Sequence, residues 1–276
     1  TPDSKTPLRL TLGKDPVHGG PRWIITRADT PEQANEATVN RLFTALAYHK
    51  VLDFSSDAPP DLTPFGLNPP AKTLLLEYAE DQKFEIDFGM APDGKYYAHR
   101  RDESSVMEID PGTFDYIETE PSAWRDSLLW TMSVTNLESF TIERPNKPPL
   151  GLKYNFLTEE WAAEREGRDI TVLLNKQRAN ILLGKLESLR VLRWLGPNNE
   201  EAANRLFDPS LAFEVVYEVQ DDFGEKIGSH RRLLNLVPAS YAAGNQLFYG
   251  RLSGDPDFFL LDKTTYDHLN VPLLEE

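Results

Sequence analysis

The sequence predicts an α+β protein built of two similar repeats, each an antiparallel sheet with one main covering helix. Three observations predict it. Trp23 recurs as Trp161. At a spacing of 140, Asn35, Asn40, Leu42, Leu46, Val51, Leu52 and Pro69 recur as Asn175, Asn180, Leu182, Leu186, Val191, Leu192 and Pro209. At a spacing of 152, Tyr97, Asp110, Thr113 and Asp115 recur as Tyr249, Asp262, Thr265 and Asp267. These are chiefly core and cap residues, so they specify architecture rather than chemistry. The expected organisation is a first repeat over 1–120, a packed connector over 121–136 holding Trp124 and Trp130, and a second repeat over 137–276.

Leu8-Arg-Leu-Thr-Leu alternates at period two, as a half-buried strand does. His18-Gly-Gly-Pro reads as a turn, and Arg22-Trp-Ile-Ile-Thr-Arg returns as its hairpin partner. Asn35 is the expected N-cap of a helix, with Glu36 in the first turn to complement the helix dipole. Val39, Leu42, Phe43, Ala45 and Leu46 form its apolar stripe. Ser55–Asp61 reads as a polar, proline-rich loop leading into a compact turn plugged by Phe65 and Leu67. Strands are expected at 72–78 and 83–88, where Phe84, Ile86 and Phe88 face one way and Glu85 and Asp87 the solvated other. Further strands follow at 95–100 and 106–109. Asp110 then starts a short helix through Ile117, with Pro111 at its favoured first position.

The second repeat is expected to carry strands near 140–144 and 150–156, Trp161, and a helix from Asn175 to Val191. Strands near 212–219, 230–236, 247–252 and 258–261 complete it. The change of spacing puts extra residues between Pro209 and Tyr249, and Asp221-Asp-Phe-Gly-Glu-Lys-Ile-Gly is the expected loop.

Composition excludes several functions. With 29 basic against 44 acidic residues the formal charge is −15, which argues against a nucleic-acid partner and against lying on an anionic membrane. The absence of cysteine removes disulfides, thiolate nucleophiles and iron–sulfur clusters. No apolar run has the length of a membrane span, and TPDSKTP reads as a mature or trimmed end. His18, His49, His99, His230 and His268 never fall at the metal-binding spacing of four residues, so no metal site is expected. Asp87-Phe-Gly and Asp222-Phe-Gly spell a kinase metal tripeptide without the other kinase motifs. Glu77, Glu85, Asp87, Asp255 and Asp257 read as strand-face and turn acids, not as a catalytic pair. No catalytic residue and no cofactor is expected. The adjacent aromatics Tyr96-Tyr97 and Phe258-Phe259 must point to opposite sheet faces, so one ring of each pair is free for a partner unless both faces are covered.

The segment Asp61-Leu-Thr-Pro-Phe-Gly-Leu-Asn-Pro-Pro-Ala-Lys-Thr-Leu resembles the "yGLd-P--tv" signature of the family called domain of unknown function 4340. Phe88-Gly with Pro92-Asp-Gly-Lys-Tyr-Tyr-Ala is similar to that family's "iG--tp-g--yYa" hairpin, and Val106-Met-Glu-Ile-Asp to its "vy-id" strand. The second repeat departs from the signature, with Leu206-Phe-Asp-Pro-Ser in place of Phe65-Gly-Leu-Asn-Pro. Family members carry an N-terminal membrane-spanning helix and an extracytoplasmic region, and accompany ABC-type export or gliding-motility components.

The resemblance therefore implies the extracytoplasmic part of a membrane-anchored envelope protein, on the periplasmic side of the inner membrane, with its anchor missing from this sequence. It implies envelope or transporter proteins as partners and brings no catalytic residues. Phe65, Gly66, Leu67, Tyr96, Tyr97 and Tyr249 are the expected contacts to a partner or ligand. The alternative is an extracytoplasmic carbohydrate- or solute-binding protein with a cleft between the repeats.

Overall fold

A computed structural model describes residues 8–14, 21–27, 30–78, 82–130, 133–220, 226–239 and 246–275. The expected turn at His18 lies outside them, as do residues 221–225 of the expected loop. The architecture is α+β, mostly antiparallel strand, and the chain divides into two compact units between Arg125 and Asp126. The boundary falls inside the expected connector. Trp124 packs in the core of the first unit, its indole donating to the Glu118 carbonyl at 2.9 Å. Trp130 packs against the core of the second and donates to the Leu186 carbonyl.

In the first unit, β1 (Arg9–Lys14), β2 (Pro21–Arg27) and β3 (Thr30–Gln33) form an antiparallel meander. Helix α1 (Glu36–Tyr48) follows, capped by Asn35, whose side chain accepts from the Thr38 amide at 3.1 Å. The helix buries Val39, Leu42 and Ala45, while Leu46 is half-buried. Phe43 departs from expectation: it is exposed, because its position on the helix reaches only the rim, where it tilts against Trp23 at 5.5 Å.

A five-stranded antiparallel sheet comes next. It contains β4 (Val51–Ser56), β5 (Lys72–Tyr78), β6 (Gln82–Met90), β7 (Tyr96–Arg100) and β8 (Val106–Ile109), in the order β4-β8-β7-β6-β5. Strand β4 was not expected, and it takes in Ser55 and Ser56, read above as loop. Short helix α2 (Pro111–Asp115) is capped by Asp110, which accepts from the Gly112 amide at 2.7 Å. One sheet face joins α1 and the meander in a core of Ile25, Val39, Leu42, Phe88, Ala98 and Ile109. The other face is covered by the turn around Phe65.

In the second unit, β9 (Leu137–Arg144), β10 (Lys147–Asn155), β11 (Glu160–Arg165) and β12 (Arg168–Asp169) form a meander. Helix α3 (Lys176–Glu187) is capped by Asn175, which accepts from the Arg178 amide at 3.0 Å. It ends before Ser188, short of the expected Val191, because Leu189 leaves the helix and enters the core.

Strand β13 (Arg193–Gly196), helix α4 (Glu200–Arg205), β14 (Leu211–Gln220), β15 (Lys226–Pro238), β16 (Leu247–Leu252), β17 (Phe258–Asp262) and α5 (Lys263–Leu269) complete the unit. Lys226-Ile-Gly belongs to β15 rather than to a loop. Here β9 pairs with both β10 and β14, giving one nine-stranded sheet ordered β12-β11-β10-β9-β14-β15-β16-β17-β13. Its main core unites Phe140, Leu152, Trp161, Leu182, Phe213, Leu234 and Phe259 with α3 and α5. Helix α4 covers the opposite face over Tyr249, Phe258 and Leu260.

Candidate functional site

The expected contact residues mostly serve the core. Leu67 and Tyr97 are buried together with Ala91 and Val106, and the half-buried Phe65 meets Tyr97 edge-on with ring centres 5.1 Å apart. Tyr96 points the other way and packs on Phe114 at 4.9 Å. Both sheet faces are therefore covered at this pair of tyrosines. The second cover is the proline-rich turn of residues 62–71, an occupant that the period-two pattern alone does not reveal. Tyr249 is buried in the second unit, and its hydroxyl donates to Glu201 at 3.0 Å. Burial and this carboxylate both hold its pKa above the ordinary phenol value. Phe258 and Phe259 divide in the same way, Phe258 under α4 and Phe259 under α3.

Gly66 explains why this turn needs its particular sequence. It sits at φ +68°, and a β-carbon there would meet the Met90 carbonyl oxygen at 2.2 Å. A β-carbon on Gly89 would meet the Gly66 oxygen at 2.2 Å. The turn thus lies backbone against backbone on β6. The Asp87-Phe88-Gly89 tripeptide has a structural job: Phe88 fills the core, Gly89 admits the turn, and Asp87 forms an ion pair.

That ion pair corrects the expectation of a solvated acid face. Asp87 is buried, accepts from Thr73 Oγ1 at 2.7 Å, and takes both arms of Arg101 at 2.8 and 3.0 Å. Arg101 also pairs with Glu85. Burial works to raise the Asp87 pKa, but the hydrogen bonds from Arg101 and Thr73 and the guanidinium charge outweigh it and hold the carboxyl below its usual value. A lowered folded-state pKa contributes stability that is complete above the unfolded value of about 3.9 and is lost as pH falls through the folded value. Arg101→Ala is therefore expected to cost about 1–2 kcal/mol at pH 7, discounted for the exposure of Arg101. The deficit should shrink as pH falls through the lowered folded value, where Asp87 in the parent also protonates. Urea midpoints of the two proteins across pH 3–7 check this, and a pH-independent difference refutes it.

The histidines are dispersed. His49 bonds the Thr113 hydroxyl at 2.7 Å, His99 the Glu103 carbonyl at 3.0 Å, and His230 stacks on Tyr217. Among the described residues no group of three or more His, Cys, Asp or Glu is placed to hold a metal ion. A shallow depression lined by Asp169, Thr171, Val172, Leu174 and Lys176 lies on the second unit. Its acid is occupied by the Thr171 amide at 2.8 Å.

What remains is apolar surface that the sequence reading passed over. At the end of α1 and along β4, Tyr48 is 78% exposed, Leu52 56% and Phe54 62%. Strand β4 is an edge of its sheet, so its outer backbone groups lack a strand partner among the described residues. The signal available in the sequence was Val51-Leu-Asp-Phe, an apolar cluster directly after a helix with too few residues to cover it.

The fold defines an α+β protein, mostly antiparallel strand, in two compact units. The chain belongs to the family described as a domain of unknown function (DUF4340), whose sequence model matches residues 23–209. Comparison with curated proteins and with solved structures returned no match. Among the described residues no helix is long and apolar enough to cross a membrane.

Proposed function

We propose that the chain is a tandem duplication of one α+β module. On this reading it works without catalysis, as an extracytoplasmic, membrane-tethered module that supports an ABC-type transporter or motility complex through protein contacts. Three features support the duplication. Sheet order β4-β8-β7-β6-β5 in the first unit has its counterpart in β13-β17-β16-β15-β14 in the second. Asn35 and Asn175 cap equivalent helices, as do Asp110 and Asp262. Trp23 and Trp161 occupy the same strand of each meander.

One observation carries the contact reading. Phe54 pairs with Met107 as Trp194 pairs with Phe259, yet Phe54 is 62% exposed and Trp194 is 7% exposed. A position kept under cover in one copy is left open and apolar in the other, on the same strand as the exposed Leu52. An exposed aromatic and an exposed leucine on an edge strand suit a protein partner, where buried rings dominate binding energy. Tethering and the transporter setting follow from the family resemblance, an argument of association.

The test is to isolate the membrane-derived complex from cells carrying the parent or the double variant L52D/F54D. Transporter or motility subunits are expected with the parent and at least tenfold less with the variant. Both substitutions lie on exposed positions, so the unfolding free energy from urea titration should change by less than about 1 kcal/mol. Equal recovery of the same subunits with both proteins, or recovery of none with the parent, rejects the reading.

A further inference from the structure

Aligning the two units strand by strand leaves β9 without a counterpart among the described residues of the first. In the second unit β9 runs antiparallel between β10 and β14. Ile142 sits opposite both Leu150 and Phe213, and Phe140 opposite both Leu152 and Val215. The ladders fix the equivalences. Leu12 pairs with Trp23 as Tyr154 pairs with Trp161, so Leu8 and Leu10 correspond to Leu150 and Leu152. Phe88 pairs with Ala98 beside Tyr97 as Leu236 pairs with Gly250 beside Tyr249, so Leu74 and Leu76 correspond to Phe213 and Val215. Strands β1 and β5 are both sheet edges among the described residues, and they flank the place that β9 fills in the other unit.

Burial marks the same place. Leu150, Leu152, Phe213 and Val215 are buried, whereas Leu8, Leu10, Leu74 and Leu76 are only half-buried. Ile25 and Ala163, Leu42 and Leu182, Phe88 and Leu236, Ile109 and Leu261 are buried in both units. Ile86 and Met107, elsewhere in the first unit, are also half-buried where Leu234 and Phe259 are buried. Half-buried leucines in two facing rows, each beside unpaired backbone groups, are what a sheet lacking one internal strand presents.

We infer that the gap between β1 and β5 is a strand site, completed by an extended segment of this same protein that enters β1 from its N-terminal side. The inference rests on the duplication reading. In the second unit β9 turns into β10 through Pro145 and Asn146, with Asn146 at φ 60°, which supplies the internal precedent for a hairpin at this point. The segment needs two bulky apolar side chains two positions apart, one between Leu8 and Leu74 and one between Leu10 and Leu76. Its remaining side chains face outward and can be polar, as Glu143 and Ser139 are in β9.

The experiment compares amide hydrogen exchange in the 276-residue chain and in the same chain extended by the roughly ten to fifteen residues encoded before Thr1, enough for a strand and its turn. The amides of β1 and β5 that face the gap are expected to exchange at least tenfold more slowly in the extended chain. Replacing the two apolar positions of the extension by serine should return them to the original rate. Unchanged rates on extension, or an extension without apolar residues two apart, overturn the inference. So does a free peptide with the Leu137–Arg144 sequence that slows these amides where the extension does not, because the occupant is then a separate chain. An experimental structure in which the two units fail to superpose removes the duplication itself. Units that superpose while the gap amides stay fast remove only the strand site, and neither outcome bears on recovery of the L52D/F54D variant.

Discussion

Placing alanine at Gly89 is expected to destabilise the first unit by about 3 kcal/mol, and alanine at Gly66 by still more. The reason is the kind of atom each new methyl group meets. At Gly89 it strikes the Gly66 carbonyl oxygen, and at Gly66 the Met90 carbonyl oxygen, both at 2.2 Å. Neither obstacle is a side chain that can change rotamer. Relief requires lifting the turn from β6, which opens the small core of Leu67, Tyr97 and Val106 beneath it. Overpacking of this sort costs about 1–3 kcal/mol, and holding a β-carbon at φ +68° adds roughly 1–2 kcal/mol at Gly66.

Gly94 supplies the control. It has positive φ too, but an added β-carbon meets nothing within 4 Å. Gly94→Ala should therefore show the conformational cost alone. Urea unfolding of the three variants decides the matter: a Gly89→Ala midpoint equal to the parent's would mean that the turn is not seated on the strand.

Truncating Phe140 to alanine is the second large effect, about 3–5 kcal/mol in the second unit. Phe140 is fully buried on β9, opposite Leu152 on one side and Val215 on the other, and it meets the edge of Trp161 at 5.9 Å. Because β9 joins the meander to the rest of the nine-stranded sheet, the cavity opens at the seam and cannot collapse from one side only. Phe156→Ala, at a half-exposed position in the turn after β10, should change stability by less than about 1 kcal/mol. If the two variants lose similar stability, β9 is not the strand that unites that sheet.

The local features of this protein were legible because they follow from short-range chemistry. The Asn35, Asn175 and Asp110 caps need only a side-chain oxygen placed to meet an amide two or three residues on. The adjacent aromatics Tyr96-Tyr97 and Phe258-Phe259 had to divide between two sheet faces because strand side chains alternate.

Strands β3, β12 and β13 escaped notice for the opposite reason. They are two to four residues long, and the Thr-Pro-Glu-Gln of β3 has no strand character until β2 offers it partners. Asp87 misled in the same way. Alternation assigns it to the face away from Phe88, correctly, but whether that face holds water or Arg101 depends on residues fourteen positions away.

The candidate site was the least legible part. Phe65 and Leu67 pack the turn as expected, while Tyr97 and Tyr249, also named as contacts, are packing residues. Leu52 was counted among the recurring, chiefly core and cap positions, Tyr48 and Phe54 drew no attention, and all three are exposed. Exposure of an apolar side chain is decided by what covers it. In the second unit Trp194 is covered; in the first, Phe54 is not.

By itself, then, the sequence determined the mixed α+β class, the two principal helices with their caps and most of the strands, since periodicity and capping act within a few residues of one another. Only the tertiary structure decided that β9 joins two groups of strands in one unit and that the first unit's strands form two sheets among the described residues. It alone decided that a glycine pair lets a turn close over a sheet, and which apolar residues are left facing out. Those outcomes depend on pairings and close approaches between segments far apart in the chain, where no local pattern records whether a neighbour is present.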